Sequence, residues 1–173
     1  MSKIVFLDVD GTLIDYEAKL PASAAKAVDQ ARANGHKVYI CTGCSKAEIL
    51  QRNLCDLDGM IGGNGAYVED NGHVVMHQGL SKEDVKNIVD WCNERHIGLE
   101  ANSGMYCNDY MLEQGPETMV KYAKGKGASL ENAKSSAQHF VDGFIHLQGD
   151  ELYRDDVNKI SFILRTYQDH LDS

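Results

Sequence analysis

The sequence predicts an α/β fold whose first half holds a parallel sheet, and three observations carry that expectation. Short apolar runs of strand length alternate with helix-period segments as far as residue 61. A glycine cluster and an Asp-Asn-Gly turn then mark a joint, and a second strand-and-helix unit begins near residue 80.

Ile4 to Leu7 and Lys37 to Cys41 read as strands, and Leu57 to Ile61 as a weaker one. Pro21 to Asn34 carries alanines and Val28 at helical spacing, with Pro21 suited to a first turn and Gly35 to the C-terminal cap. A second helix is expected over Ser45 to Leu54, where Ser45 and Glu48 have capping-box spacing. Right-handed crossovers then bring the strand C-termini to one sheet edge, where α/β proteins place their sites, and both Asp8 and Thr42 fall there. Gly62, Gly63 and Gly65 flank Asn64, and Tyr67–Val68 with His73–Val75 bracket Asp70-Asn71-Gly72 as a hairpin. In the second unit, Ser81 and Asp84 start a helix reaching Arg95, with Val85, Ile88, Val89 and Cys92 on one face. Further strands are expected near Ile97–Ala101, Met105–Asn108, Phe144–Gln148 and Asn158–Leu164, and a helix near Glu117–Lys124.

The 173 residues are 43% apolar and 25% charged, an ordinary globular mix that excludes collagen, coiled coil and a wholly disordered chain. A net charge of −9 repels phosphate backbones and anionic headgroups, so neither nucleic acid nor membrane is an expected partner. A small anionic substrate then needs a locally positive pocket. The apolar run before Asp8 is too short for a signal sequence, and the five cysteines are an odd number; both point to the cytoplasm. The seven histidines show no metal-ligand spacing.

The chemistry concentrates in Asp8-Val-Asp10-Gly11-Thr12-Leu13, directly after the first strand. Residues two apart in extended chain point the same way, so Asp8 and Asp10 can both face one site. Paired carboxylates call for a cation, and Mg²⁺ suits oxygen ligands and few protein carboxylates. Gly11 lets backbone approach a phosphate, and the N–H groups around Thr12 and Leu13 are expected to turn towards it.

These residues resemble the first motif of the haloacid dehalogenase superfamily, a hydrophobic strand running into DxDGT. Lys37-Val-Tyr-Ile-Cys-Thr42-Gly43 resembles its second motif, and Ile61-Gly-Gly-Asn64-Gly65-Ala66 is similar to the Asn-Gly-Ala signature of the Cof-like phosphatases. The resemblance implies a partial Rossmann-like core over residues 1–80 and an α/β cap domain over 81–173, the cap being incomplete. It implies an Mg²⁺-dependent phosphomonoester hydrolase of a small phosphorylated metabolite, sugar phosphate-like. Asp8 is then the nucleophile that forms an aspartyl-phosphate, and Asp10 the general acid and base. Asp8 and the Asp10 backbone carbonyl hold the metal, while Gly11, Thr12, Thr42, Gly43 and Asn64 line the phosphate site.

Two further motifs of that family, a lysine and an acidic cluster, are expected to lie outside this chain. Lys126 followed by Gly149-Asp150 mimics them, but its second acid is out of register and residues 131–139 are too polar to bury a helix face between them. The chain alone is therefore expected to be weak or inactive, with the edge of the first strand uncovered and open to oligomer formation. The alternatives are a non-catalytic remnant that only binds or assembles, and a thiol-redox protein using Cys41 and Cys44, whose C-x-x-C stands where the family often has an arginine after Thr-Gly. Both thiols are expected to be structural, with Cys41, at the end of a buried strand, the more sensitive to substitution.

Overall fold

The computed structural model describes residues 1–15, 18–102 and 105–172 and divides into two compact units, Met1–Gln78 and Gly79–Ser173. The first unit is a five-stranded sheet of order β1-β2-β3-β4-β5. Strand β1 (Ile4–Leu7) lies parallel to β2 (Lys37–Cys41), pairing Ile4 with Lys37 and Leu7 with Ile40, and β2 lies parallel to β3 (Gly59–Gly62). Helix α1 (Ala22–Ala33) connects β1 to β2, and the short α2 (Lys46–Leu50) connects β2 to β3. The hairpin of β4 (Tyr67–Asp70) and β5 (His73–His77) adds two antiparallel strands, as the Asp-Asn-Gly turn predicts.

Period-two alternation decides which side chains form this core. In β2, Val38 and Ile40 are buried while Lys37 and Cys41 point to the other face and are exposed. Val9, Leu13, Ile14, Val28, Cys44 and Ile49 complete the cluster. Strand β1 lies at the edge of the sheet, with Ile4 63% and Phe6 56% exposed, consistent with the uncovered edge expected from the sequence.

Helix α2 starts as predicted: the Ser45 hydroxyl accepts from Glu48 N–H while the Glu48 carboxylate accepts from Ser45 N–H. It stops four residues short of the expected Leu54. Arg52 N–H turns back to the Ile49 carbonyl, and Asn53 takes φ 49°, a left-handed conformation that ends a helix.

A buried carboxylate fixes β2 against the start of β3. Asp58 accepts from Val38 N–H at 2.8 Å, from Arg32 at 3.3 Å and from Lys37 at 3.2 Å, while its own N–H donates to the Val38 carbonyl. The Val38 hydrogen bond holds the Asp58 carboxyl below its ordinary pKa; burial opposes this, and Lys37 and Arg32 reinforce it.

The second unit has a four-stranded sheet of order β8-β7-β6-β9. Its elements run α3 (Lys82–Glu94), β6 (Gly98–Asn102), β7 (Tyr106–Cys107), α4 (Asp109–Gly125), α5 (Leu130–Asp142), β8 (Ile145–His146), β9 (Lys159–Ile163) and α6 (Tyr167–Asp172). Its core is Val85, Val89, Cys92, Ile97, Leu99, Ala101, Leu152 and Val157, so the α3 face read from the sequence is buried except at Ile88, which packs beside it partly exposed. Two helices depart from expectation. Helix α4 starts eight residues before Glu117, because the Asn108 side chain caps it by accepting from Met111 N–H and Pro116 is tolerated inside it. Helix α5 forms over residues judged too polar for one, since it packs on α4 through small residues and buries only Ala133 and Ala137. Among the described residues, no helix is long and apolar enough to cross a membrane.

Candidate active site

The loop after β1 separates its residues by alternation. Val9 is fully buried in the core while Asp8 and Asp10 on either side of it are exposed. The loop is closed by its own backbone: Leu13 and Ile14 N–H donate to the Val9 carbonyl, and Gly11 N–H to that of Ile14. Gly11 holds φ 77°, which favours glycine at this turn.

These bonds correct one expectation. Thr12 and Leu13 N–H groups bond to carbonyls of Asp8 and Val9 inside the loop, so they do not face a phosphate. What Thr12 contributes is its hydroxyl, which donates to Asp8 Oδ2 at 3.4 Å. The loop's bonds run to the carbonyls of Asp8, Val9 and Ile14, leaving the Asp10 carbonyl out of them.

At the neighbouring strand end, Thr42 N–H donates to the Ile61 carbonyl and the Thr42 hydroxyl accepts from Cys44 N–H at 3.2 Å. A β-carbon on Gly43 would meet Asn64 Oδ1 at 2.8 Å, so the Asn64 side chain lies directly against the Gly43 backbone. Asn64 itself takes φ 56° between Gly63 and Gly65. Gly63 N–H donates to the Cys44 carbonyl at 2.7 Å, tying that turn to the β2 end. Thr42, Gly43 and Asn64 therefore lie together at the end of β2.

Two side chains join this cluster to the aspartate loop: Cys44, which the sequence marks only as half of a C-x-x-C, and Arg52, which no motif includes. The Cys44 thiol lies 3.9 Å from Asp10 Oδ2. Arg52 donates from Nη1 to Asp10 Oδ1 at 2.6 Å and from Nη2 to Cys44 Sγ at 3.5 Å. Lys46, the first residue of α2, is engaged elsewhere, by Glu69 and by the Tyr67 hydroxyl at 2.9 Å.

The two cysteines exchange the roles expected of them. Cys41 is exposed because it lies on the opposite face from Ile40, and Cys44 is buried. Cys44→Ser is accordingly expected to lower the urea midpoint more than Cys41→Ser. Burial pushes the Cys44 thiol above its ordinary pKa, Glu48 adds to this, and Arg52 opposes it. That direction is the opposite of the lowered pKa that marks reactive redox thiols.

Among the described residues, no group of three or more His, Cys, Asp or Glu is arranged to hold a metal. The donor set at the aspartate loop is two carboxylates and a backbone carbonyl. This fits Mg²⁺, which keeps several waters and needs only one or two carboxylates. Lys126 and Asp150 lie in the second unit, Lys126 capping α4 over the Tyr122 ring and Asp150 in a 3₁₀ turn.

Comparison with known proteins supplies the context. Residues 5–173 match the family model described as haloacid dehalogenase-like hydrolase. The chain is 30% identical over 112 residues to the 5-amino-6-(5-phospho-D-ribitylamino)uracil phosphatase YwtE of Bacillus subtilis, covering 64% of this chain and 37% of that protein. It is 25% identical over 165 residues to the phosphatase YwpJ of the same organism, covering 89% of this chain and 57% of that protein. A haloacid dehalogenase-like hydrolase structure from B. subtilis superposes with TM-score 0.71 at 21% identity, over 92% of this chain and 59% of that one, a likeness of fold. The chain spans between 37% and 57% of the length of the curated relatives it matches.

Proposed function

The chain belongs to the haloacid dehalogenase-like hydrolases, and from that premise we propose that its first unit carries the phosphoryl-transfer half of a phosphomonoesterase, with Asp8 as nucleophile. The observation that supports this most is the burial of Val9 between two exposed carboxylates, beside the Thr42–Gly43–Asn64 cluster. Asp8 attacks phosphorus, a P–O bond to Asp8 forms and the ester P–O bond breaks. Asp10 delivers a proton to the leaving alkoxide and then takes one from the water that cleaves the aspartyl-phosphate. The products are an alcohol and inorganic phosphate. The Thr42 hydroxyl and Gly43 N–H bind the transferring oxygens, and Thr12 orients Asp8 through its hydroxyl. Asp8 and the Asp10 carbonyl would hold Mg²⁺, which would supply charge neutralisation at those oxygens.

The proposed substrate is a small phosphorylated metabolite of sugar phosphate type, consistent with the phosphoribityl compound in the name of YwtE. The second unit is proposed as the cap that covers it, and the cytoplasm as the compartment, in keeping with five free cysteines. No residue of this chain is assigned to the family's third or fourth motif. Each missing electrostatic contact in such a site costs on the order of 10² to 10³ in rate. The 173-residue chain is therefore expected to hydrolyse p-nitrophenyl phosphate close to background even with magnesium. Robust turnover would contradict this, and its loss in Lys126→Ala or Asp150→Asn would assign those two residues to the missing motifs.

A further inference from the structure

Arg52 lies two residues beyond α2, and its side chain, 26% exposed, turns back onto the site edge. A guanidinium is a rigid fork suited to two-point contact with a carboxylate or phosphate. Here the fork is only half matched: Nη1 holds the Asp10 carboxylate, while Nη2 rests on the Cys44 sulfur, a weak acceptor. A phosphoryl oxygen displaces that thiol with a gain in hydrogen-bond strength. The other arm holds an Asp10 carboxylate whose side chain is 56% exposed, a solvent-screened ion pair that an entering phosphoryl oxygen can replace.

Charge points the same way. The chain carries −9 overall, the substrate is a dianion, and the neighbouring cation Lys46 is held by Glu69 and Tyr67. From the shared geometry of Arg52, Asp10 and Cys44 we propose that Arg52 is a phosphate-binding residue, exchanging Asp10 and the Cys44 thiol for two phosphoryl oxygens when substrate enters. The proposal rests on the aspartate loop being a phosphoryl-transfer site.

The test is titration of the full chain with beryllium fluoride in the presence of Mg²⁺, followed by ¹⁹F resonance, alongside titration with Mg²⁺ alone. Wild type is expected to bind the fluoride. Arg52→Gln is expected to bind it about 10- to 100-fold more weakly, the loss appropriate to one charged hydrogen-bond pair. Arg52→Lys, which keeps the charge without the fork, is expected to fall between them. Affinity for Mg²⁺ alone is expected to be unchanged or tighter in Arg52→Gln, since a competing cation leaves Asp10; a merely structural role would weaken both. Equal fluoride affinity in wild type and Arg52→Gln, or parallel loss of both affinities, overturns the proposal while leaving the site standing. No fluoride binding by wild type overturns the site and the proposal with it.

Discussion

Asp8→Asn is expected to abolish phosphoryl transfer to the protein, whereas Asp10→Asn is expected to prolong the phosphorylated state. The two variants separate two roles that adjacent carboxylates could otherwise share. Acetyl phosphate is a mixed anhydride, more reactive than an ester and in little need of an acid, so in excess over a long incubation the slow transfer expected of this chain accumulates, and wild type and Asp10→Asn are both expected to acquire one phosphoryl group, detectable by intact mass. Removing the general base slows attack by water on the aspartyl-phosphate, by about 10² to 10⁴ on the usual scale of such catalysis. Asp8→Asn has no carboxylate to phosphorylate. An adduct of equal yield in Asp8→Asn would place the nucleophile elsewhere.

The largest stability effect is expected at Asp58, outside the chemistry. Asp58→Ala leaves Val38 N–H without its carboxylate partner and takes the carboxylate away from Arg32 and Lys37, Arg32 keeping its bond to the Asp56 carbonyl. Loss of a charged hydrogen-bond partner to a buried group costs about 2 kcal/mol, read as a lower urea midpoint with unchanged slope. The pH dependence follows from the direction of the shift. Because the folded carboxyl has a depressed pKa, its contribution is fully present above the ordinary value of about 3.9 and is lost as pH falls through the lower folded value. The gap between wild type and Asp58→Ala is thus expected to hold steady near pH 6 and to shrink below about pH 4. A gap that stayed constant to pH 3 would show that the carboxylate charge contributes nothing.

The parts of the site legible in the sequence are those written in local spacing. Asp8 and Asp10 are two residues apart on a strand exit, and Thr42-Gly43 ends the next strand, so period two and crossover handedness suffice to bring them to one edge. Arg52 was illegible because its position depends on where α2 stops. A helix reaching Leu54 would carry Arg52 around its axis; the left-handed Asn53 instead ends the helix and lets the guanidinium reach Asp10. Asn at that spot was the one available signal, as a residue tolerant of positive φ. The exchange between Cys41 and Cys44 was misjudged for a related reason. The strand is apolar from Val38 to Cys41, but only Val38 and Ile40 face the core, so an apolar run overstates burial on its other face. Helix α5 escaped because its buried surface consists of alanines, which carry little periodic hydrophobic signal. Asp58 lies inside the run read as a weak strand and carries no local signal of its role, because its partners Arg32 and Lys37 lie more than 20 residues away.

The claim that Asp8 and Asp10 serve one phosphoryl-transfer site is tested most directly by a crystal structure of this chain with Mg²⁺ and beryllium fluoride. The expected result is beryllium bonded to the Asp8 carboxylate, the metal between it and the Asp10 carbonyl, and fluorines facing Thr42 and Gly43. Fluoride bound away from Asp8, or Asp8 and Asp10 directed to opposite sides of the backbone with no space for a metal between them, would contradict the account.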